Sequence, residues 1–238
     1  MKKIMITGAV LAWLASVSMA GLLTTITASV NDQQQSVASS GAGTVTPAFV
    51  GQVTASAGAG SPITSTNTYV IPFLLPTIPV GQTITNVQFN AFLVSSYTFG
   101  TAGANQVFVD VFGGAVRVTS TLVTTDWSAS TLLGNNIAQI DKSYTAVNMV
   151  KSVALTASFF NNIYANDANA AGKYVFLTLR PDAASLYTSA NTTWATANST
   201  TLAKPTLDIY TATIPEPATV GMLGLGALIT LLLRRMRS

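Results

Sequence analysis

An all-β fold is what the sequence predicts: a two-sheet β-sandwich or jelly roll of about eight strands with one short helix. It lies between an N-terminal signal helix and a C-terminal transmembrane helix. Three observations predict it. Short segments alternate apolar and polar side chains with period two. Gly, Pro, Asn and Ser clusters separate them. Only one window, 157–165, places its apolar residues at helical spacing. Residues 1–20 read as a signal peptide, 21–43 as a polar leader, 44–213 as the body and 214–238 as a separate C-terminal segment.

The elements follow in order. Val45–Val53 is a weak first strand. Tyr69–Leu75 is a second, in which Pro72 cannot donate to a ladder and is expected at an edge or a bulge. Pro76, Pro79 and Gly81 form the turn after it. Thr83–Val94 is the clearest strand, with Val87, Phe89, Ala91 and Leu93 on one face. Ile84 is out of step with them, which places a bulge near Thr85-Asn86. Gln106–Phe112 follows. Gly113-Gly114 then reads as a hairpin turn into Ala115–Thr119. Lys151–Thr156, Lys173–Arg180 and Thr206–Thr211 complete the strands, and Phe159, Phe160 and Ile163 mark the helix.

Both ends carry targeting chemistry. Lys2 and Lys3 precede the apolar run 4–17, and Ser18-Met19-Ala20 sets small residues at the positions a signal peptidase reads, so cleavage is expected after Ala20. At the other end stand Pro215-Glu216-Pro217, an uncharged run 218–233, and Arg234, Arg235 and Arg237. The prolines keep their segment extended. The uncharged run is long enough for a short or tilted span, and the arginines hold the C-terminus on the cytoplasmic side. This ordered tail resembles the PEP-CTERM sorting signal of exported bacterial proteins. The resemblance implies recognition by an exosortase, a membrane cysteine protease, with a cut at or near Pro215-Glu216-Pro217. It also implies an inner-membrane-anchored precursor and a mature form at the cell surface or in the extracellular matrix.

The body has a weaker likeness. TYVIPFLLPTIPVGQTITNVQFNAFLV (68–94), VFVDVFGGAVRVTSTLVTTDW (107–127), YVFLTLRPD (174–182) and KPTLDIYTAT (204–213) resemble, in order, the DNRLRE-type jelly-roll modules of secreted bacterial proteins. That likeness implies a carbohydrate-binding-like architecture.

Charge and residue usage narrow the function. The chain's formal +3 comes from its ends. Between residues 21 and 214, six basic side chains face seven acidic ones, which leaves the body at −1 and without a footprint for nucleic acid. There is no Cys, so no disulfide staples the fold. There is no His, and the one glutamate is Glu216, inside the tripeptide. The usual general base, thiol nucleophile and zinc ligands are therefore missing, and no aspartates are paired by spacing. No catalysis, cofactor or metal centre is expected. Calcium is the one ion with candidate oxygen ligands: Asn135, Asn136 and Asp141, or Asn161, Asn162, Asp167 and Asn169. Neither group has EF-hand spacing, and Asx residues commonly just make turns. Trp127, Trp194, Tyr187 and Tyr210 are the flat side chains on which a sugar ring could stack, with Trp194 placed in a polar loop, 189–201. An exported structural or adhesive component of a polysaccharide matrix is the first reading; a carbohydrate-binding module is the alternative.

Overall fold

A computed structural model of the chain describes residues 20–38, 43–46, 52–57, 65–99, 109–123, 126, 133–140, 147–181, 189–214, 224–227, 229, 230 and 233–235. Among them are twelve strands, all paired antiparallel: β1 Gly21–Thr27, β2 Gln33–Ala38, β3 Gly43–Thr46, β4 Gln52–Ala57, β5 Ser65–Leu74 and β6 Gln82–Phe99. The second half holds β7 Val109–Arg117, β8 Gly134–Ile140, β9 Met149–Leu155, β10 Tyr174–Pro181, β11 Ser189–Ala195 and β12 Thr206–Thr213, with one helix, α1 Ala157–Asn166. The architecture is a β-sandwich, as the alternation predicts.

Two long strands organise it. On β6, Phe89 pairs with both Leu207 of β12 and Val153 of β9, so those neighbours flank it on opposite edges. Leu93 pairs with both Met149 and Trp194, which places β11 on the same edge as β12. On β5, Val70 pairs with both Gln33 of β2 and Thr178 of β10, and Asn67 with both Ser36 and Ser56. One layer is therefore β1-β12-β6-β9 and the other β8-β7-β10-β5-β2-β3. β11 and β4 carry the hydrogen bonding from one to the other.

The core lies between the layers. Val87, Phe89 and Leu93 on β6, Leu207 and Ile209 on β12, Tyr69, Ile71 and Phe73 on β5, and Val175, Leu177 and Leu179 on β10 are fully buried in one cluster. Phe73 meets Phe89 across it, centroids 6.1 Å apart and rings at 86°. On the far side of β10, Phe176, Val70 and Leu122 form a smaller cluster. The Arg117 guanidinium lies 4.0 Å over the Phe176 ring. Two hydrogen bonds of 2.6 and 2.8 Å to the Asp126 carboxylate hold it there.

The expected bulge in β6 is present: Tyr210 pairs with Asn86 but Thr211 with Ile84, which leaves Thr85 over. The turn before it is also as read. Gln82 N–H donates to the Pro79 carbonyl at 3.1 Å, and Gly81 has the positive φ, +77°, that a side chain resists. Pro72 stands just past the last β2 pair, where its carbonyl accepts the Ser29 N–H and its missing donor disturbs no ladder.

Three expectations are corrected. Gly113-Gly114 is not a hairpin turn, because β7 continues through it with an irregular register against β10 and β8. A Cβ on Gly113 would lie 2.2 Å from the Phe159 ring, and one on Gly114 2.7 Å from the Phe176 carbonyl oxygen. The glycines serve close packing. Residues 189–195, part of the expected polar loop 189–201, are strand β11, and residues 134–140, for which no strand is expected, form β8. The polar leader 21–43 is part of the sheet: β1 pairs along β12, and β2 along β5 and β3. Among the described residues no helix is long and apolar enough to cross a membrane, and residues 215–223, 228, 231 and 232 of the tail lie outside them. The signal segment 1–19 falls outside the described residues.

What ties the leader down is a buried carboxylate. Asp32 is fully enclosed, and its Oδ2 accepts from the Tyr69 hydroxyl and, at 2.7 Å, from the Ala197 N–H. Oδ1 has no partner. Burial raises the Asp32 carboxyl above its usual range, although the bonds from Tyr69 and Ala197 pull it down. Burial and the Asp32 charge push the Tyr69 hydroxyl far up. Asp167, at the end of α1, goes the other way, lowered by its bond from Lys173 and by the Asn169 N–H.

Phe89→Ala is expected to cost about 3–5 kcal/mol, because it empties the centre of the core; urea unfolding measures it. The Asp32 carboxyl is raised in the folded chain, so its stabilising contribution is complete at acid pH and is lost as pH rises through the folded-state value. Wild-type stability should therefore fall between about pH 4 and neutrality more steeply than that of Asp32→Asn. Parallel slopes would remove Asp32 as the cause.

Candidate functional site

The sorting tail leaves the body from a defined place. β12 lies between β1 and β6, with its last pair Thr213↔Gln82. One residue on, the Ile214 N–H donates to the Gly81 carbonyl at 2.7 Å. Pro215 follows at once. Sequence explains the stop: Pro215 has no N–H to continue the ladder, and Pro217 also lacks one. Pro215, Glu216, Pro217 and Arg237 lie outside the described residues, whereas Arg234 and Arg235 are described and exposed. The described tail is helical at 224–227, 229, 230 and 233–235, and the Thr230 hydroxyl donates to the Gly226 carbonyl one turn back at 2.8 Å.

The chain enters the body at the same end. Gly21 pairs with Thr211 and Leu22 with Tyr210, so antiparallel β1 begins where β12 finishes. Ala20, the expected cleavage position, is exposed beside it, and Ser18 is outside the described residues. The two expected processing points, some 190 residues apart in sequence, adjoin strand ends that are neighbours in the fold.

The fold withdraws one of the four aromatic candidates. Trp194 is on β11, not in a loop, and is completely buried, its indole N–H donating to the Thr192 hydroxyl at 2.9 Å. It presents no ring face to a ligand, because the β11–β4 bridge needs a large side chain in the core at that point. Tyr210 is half-buried; Trp127 and Tyr187 are outside the described residues.

The Asx candidates for calcium are mostly in use as structure. Asn161 holds β6: its Oδ1 accepts the Ile84 N–H at 3.1 Å and its Nδ2 donates to the Ile84 carbonyl at 2.8 Å. One amide thereby copies a strand neighbour, which no sequence signal announced. Asp167 accepts from the Asn169 N–H and pairs with Lys173. Asn136 adopts a left-handed φ of +48°. Asp141 is outside the described residues.

The two Asx groups nevertheless converge on one feature. A cleft of about 510 Å³ runs between α1 and the β7–β8 pair, floored by Val116, Ile137, Phe159 and Ile163 and rimmed by Asn136, Ser158, Asn162, Asn166 and Asp167. Thr156 anchors the start of α1 there, its N–H and hydroxyl both donating to the Ile137 carbonyl. The rim supplies amides and hydroxyls, with one carboxylate already matched by a lysine.

Comparison with known families gives a match in the tail: the PEP-CTERM protein-sorting motif fits residues 213–237. The match begins at the last paired residue of β12. No curated protein matches the chain. The chain thus carries the sorting signal of an exported protein that an exosortase processes.

The β12 ladder is complete by Ile214, so a chain terminated there should unfold in urea at the same midpoint as the full chain in detergent. A chain terminated at Asp208 loses the β12 pairs from Ile209 to Thr213 and should unfold at a clearly lower midpoint. Equal midpoints for all three would show that β12 does not hold the sheet.

Proposed function

We propose, from the PEP-CTERM motif as premise, that this chain is a non-catalytic component of the cell surface or extracellular matrix. Signal peptidase and exosortase act on its two ends, and its work is structural or adhesive contact within a polysaccharide matrix. The match at 213–237 carries the reading. The body's composition supports it: net charge −1, no His, no Cys, and no glutamate outside the tripeptide. A neutral surface of hydroxyls and amides meets hydrated polysaccharide without the cost of stripping water from ions. Weak contacts of that kind gain strength when many copies act together.

A second reading has one observation in its favour. The α1 cleft combines an apolar floor with neutral polar groups on its rim, the mix that orients a sugar. It replaces Trp194 as the place where a carbohydrate-binding module would hold its ligand.

The C-terminal peptide of protein recovered from outside the cell decides the first reading. Its mass should correspond to an end close to Ile214. An intact Ser238 on all exported protein would mean a permanent anchor and no exosortase cut. On a glycan array, saturable binding lost in Asn162→Ala would favour the second reading. Matrix retention with no array signal favours the first.

A further inference from the structure

Three strand ends meet at one pole of the sandwich. β1 begins there at Gly21, the β5–β6 turn crosses it at Pro79-Val80-Gly81, and β12 leaves it at Ile214. The segments 20–24, 78–86 and 209–214 contain no Asp, Glu, Lys or Arg. Ile84 and Ile209 turn into the core, but three other apolar side chains face out: Val80 is 104 % exposed, and Leu22 and Ile214 are each 55 % exposed. Among the described residues Val80 is the most exposed large apolar side chain, and it sits beside the Gly81 carbonyl that binds Ile214.

Chain length says what covers this pole. Only Pro215, Glu216 and Pro217 separate Ile214 from the uncharged run 218–233. Fully extended, the four steps from Ile214 to Ala218 reach about 14 Å. The headgroup layer on one side of a bilayer takes up about 5–8 Å of that. A body tethered so closely cannot stand off in bulk water. The apolar run 4–17 enters at the same pole, since Gly21 pairs with Thr211, so an uncut signal segment would tether it twice at one end.

We infer that in the precursor this uncharged pole docks on the lipid surface, with Val80, Leu22 and Ile214 in the interfacial layer. The inference rests on reading 218–233 as the membrane-inserted segment of the sorting signal. It adds an orientation: the β12–β6 ladder points at the bilayer, and Pro215-Glu216-Pro217 lies between folded body and lipid. A protease reaching that tripeptide must work at the membrane surface. The cut would also free the pole, which has no charge to keep it there.

The chain has no cysteine, so a single introduced one takes all the label. Val80→Cys and, at the far end of β1, Val30→Cys would each carry an environment-sensitive fluorophore in the full chain. Both positions are exposed, so neither label disturbs the core, and buried Trp194 reports folding by its emission. The chains are reconstituted in vesicles of phosphatidylethanolamine and phosphatidylglycerol, and flotation shows whether they are bound. The expected result is that floated protein labelled at position 80 emits to the blue and is quenched by nitroxide lipids, whereas label at position 30 behaves as in water. Floated protein with position 80 as wet as position 30, or with both equally quenched, overturns the docking and leaves the sorting reading intact. Protein that does not float overturns both.

Discussion

The ladder between β6 and β12 is the constraint on which the rest of the structure depends. β6 is 18 residues long and carries β12 and β11 on one edge and β9 on the other. Its inward residues Val87, Phe89, Ala91 and Leu93 form the floor of the core. Because side chains alternate, a slip of one residue would turn all four to the wrong face. The single extra residue at Thr85 is absorbed next to the β5–β6 turn, where the ladder ends and a local bend costs least. That same register fixes where the chain escapes, one residue beyond Thr213.

Without disulfides, an exported domain must close its sheets by packing and hydrogen bonding alone. Here the closure is made with unusual side chains. Asn161 stands in for a strand neighbour at Ile84. Phe159 reaches Gly113, where a methyl group would collide with its ring. Asp32 joins the loop after β1 to Tyr69 and to Ala197, drawing the N-terminal residues into the body. A buried carboxylate with one unpartnered oxygen is expensive to keep charged, and its raised titration is the visible consequence.

The molecule divides its labour. The body offers neutral surfaces and a polar-rimmed cleft. The address is held in a tail that starts where the β12 ladder ends. Pro215 enforces the division chemically, since it cannot extend the ladder that β12 would otherwise continue. Both ends therefore can be processed while the sheet stays whole.

The sequence by itself determined the fold class, the β6 bulge, the Gly81 turn, α1 and the sorting tail. Each of these is written locally, in period-two alternation, in one misplaced apolar residue, in a glycine that must take positive φ, in helical spacing, or in ordered composition. Only the tertiary structure decided the rest. Gly113-Gly114 has the composition of a turn, but its lack of side chains is used by Phe159 and Phe176, which are distant in sequence. β11 is too polar to read as a strand, and Trp194 reaches the core only because β6 and β4 flank it. The polar leader does not read as sheet because its partners, Tyr69, Ala197 and β12, lie 37 to 190 residues away. That Ala20 and Ile214 share one pole is likewise a fact of strand pairing, which no local pattern encodes.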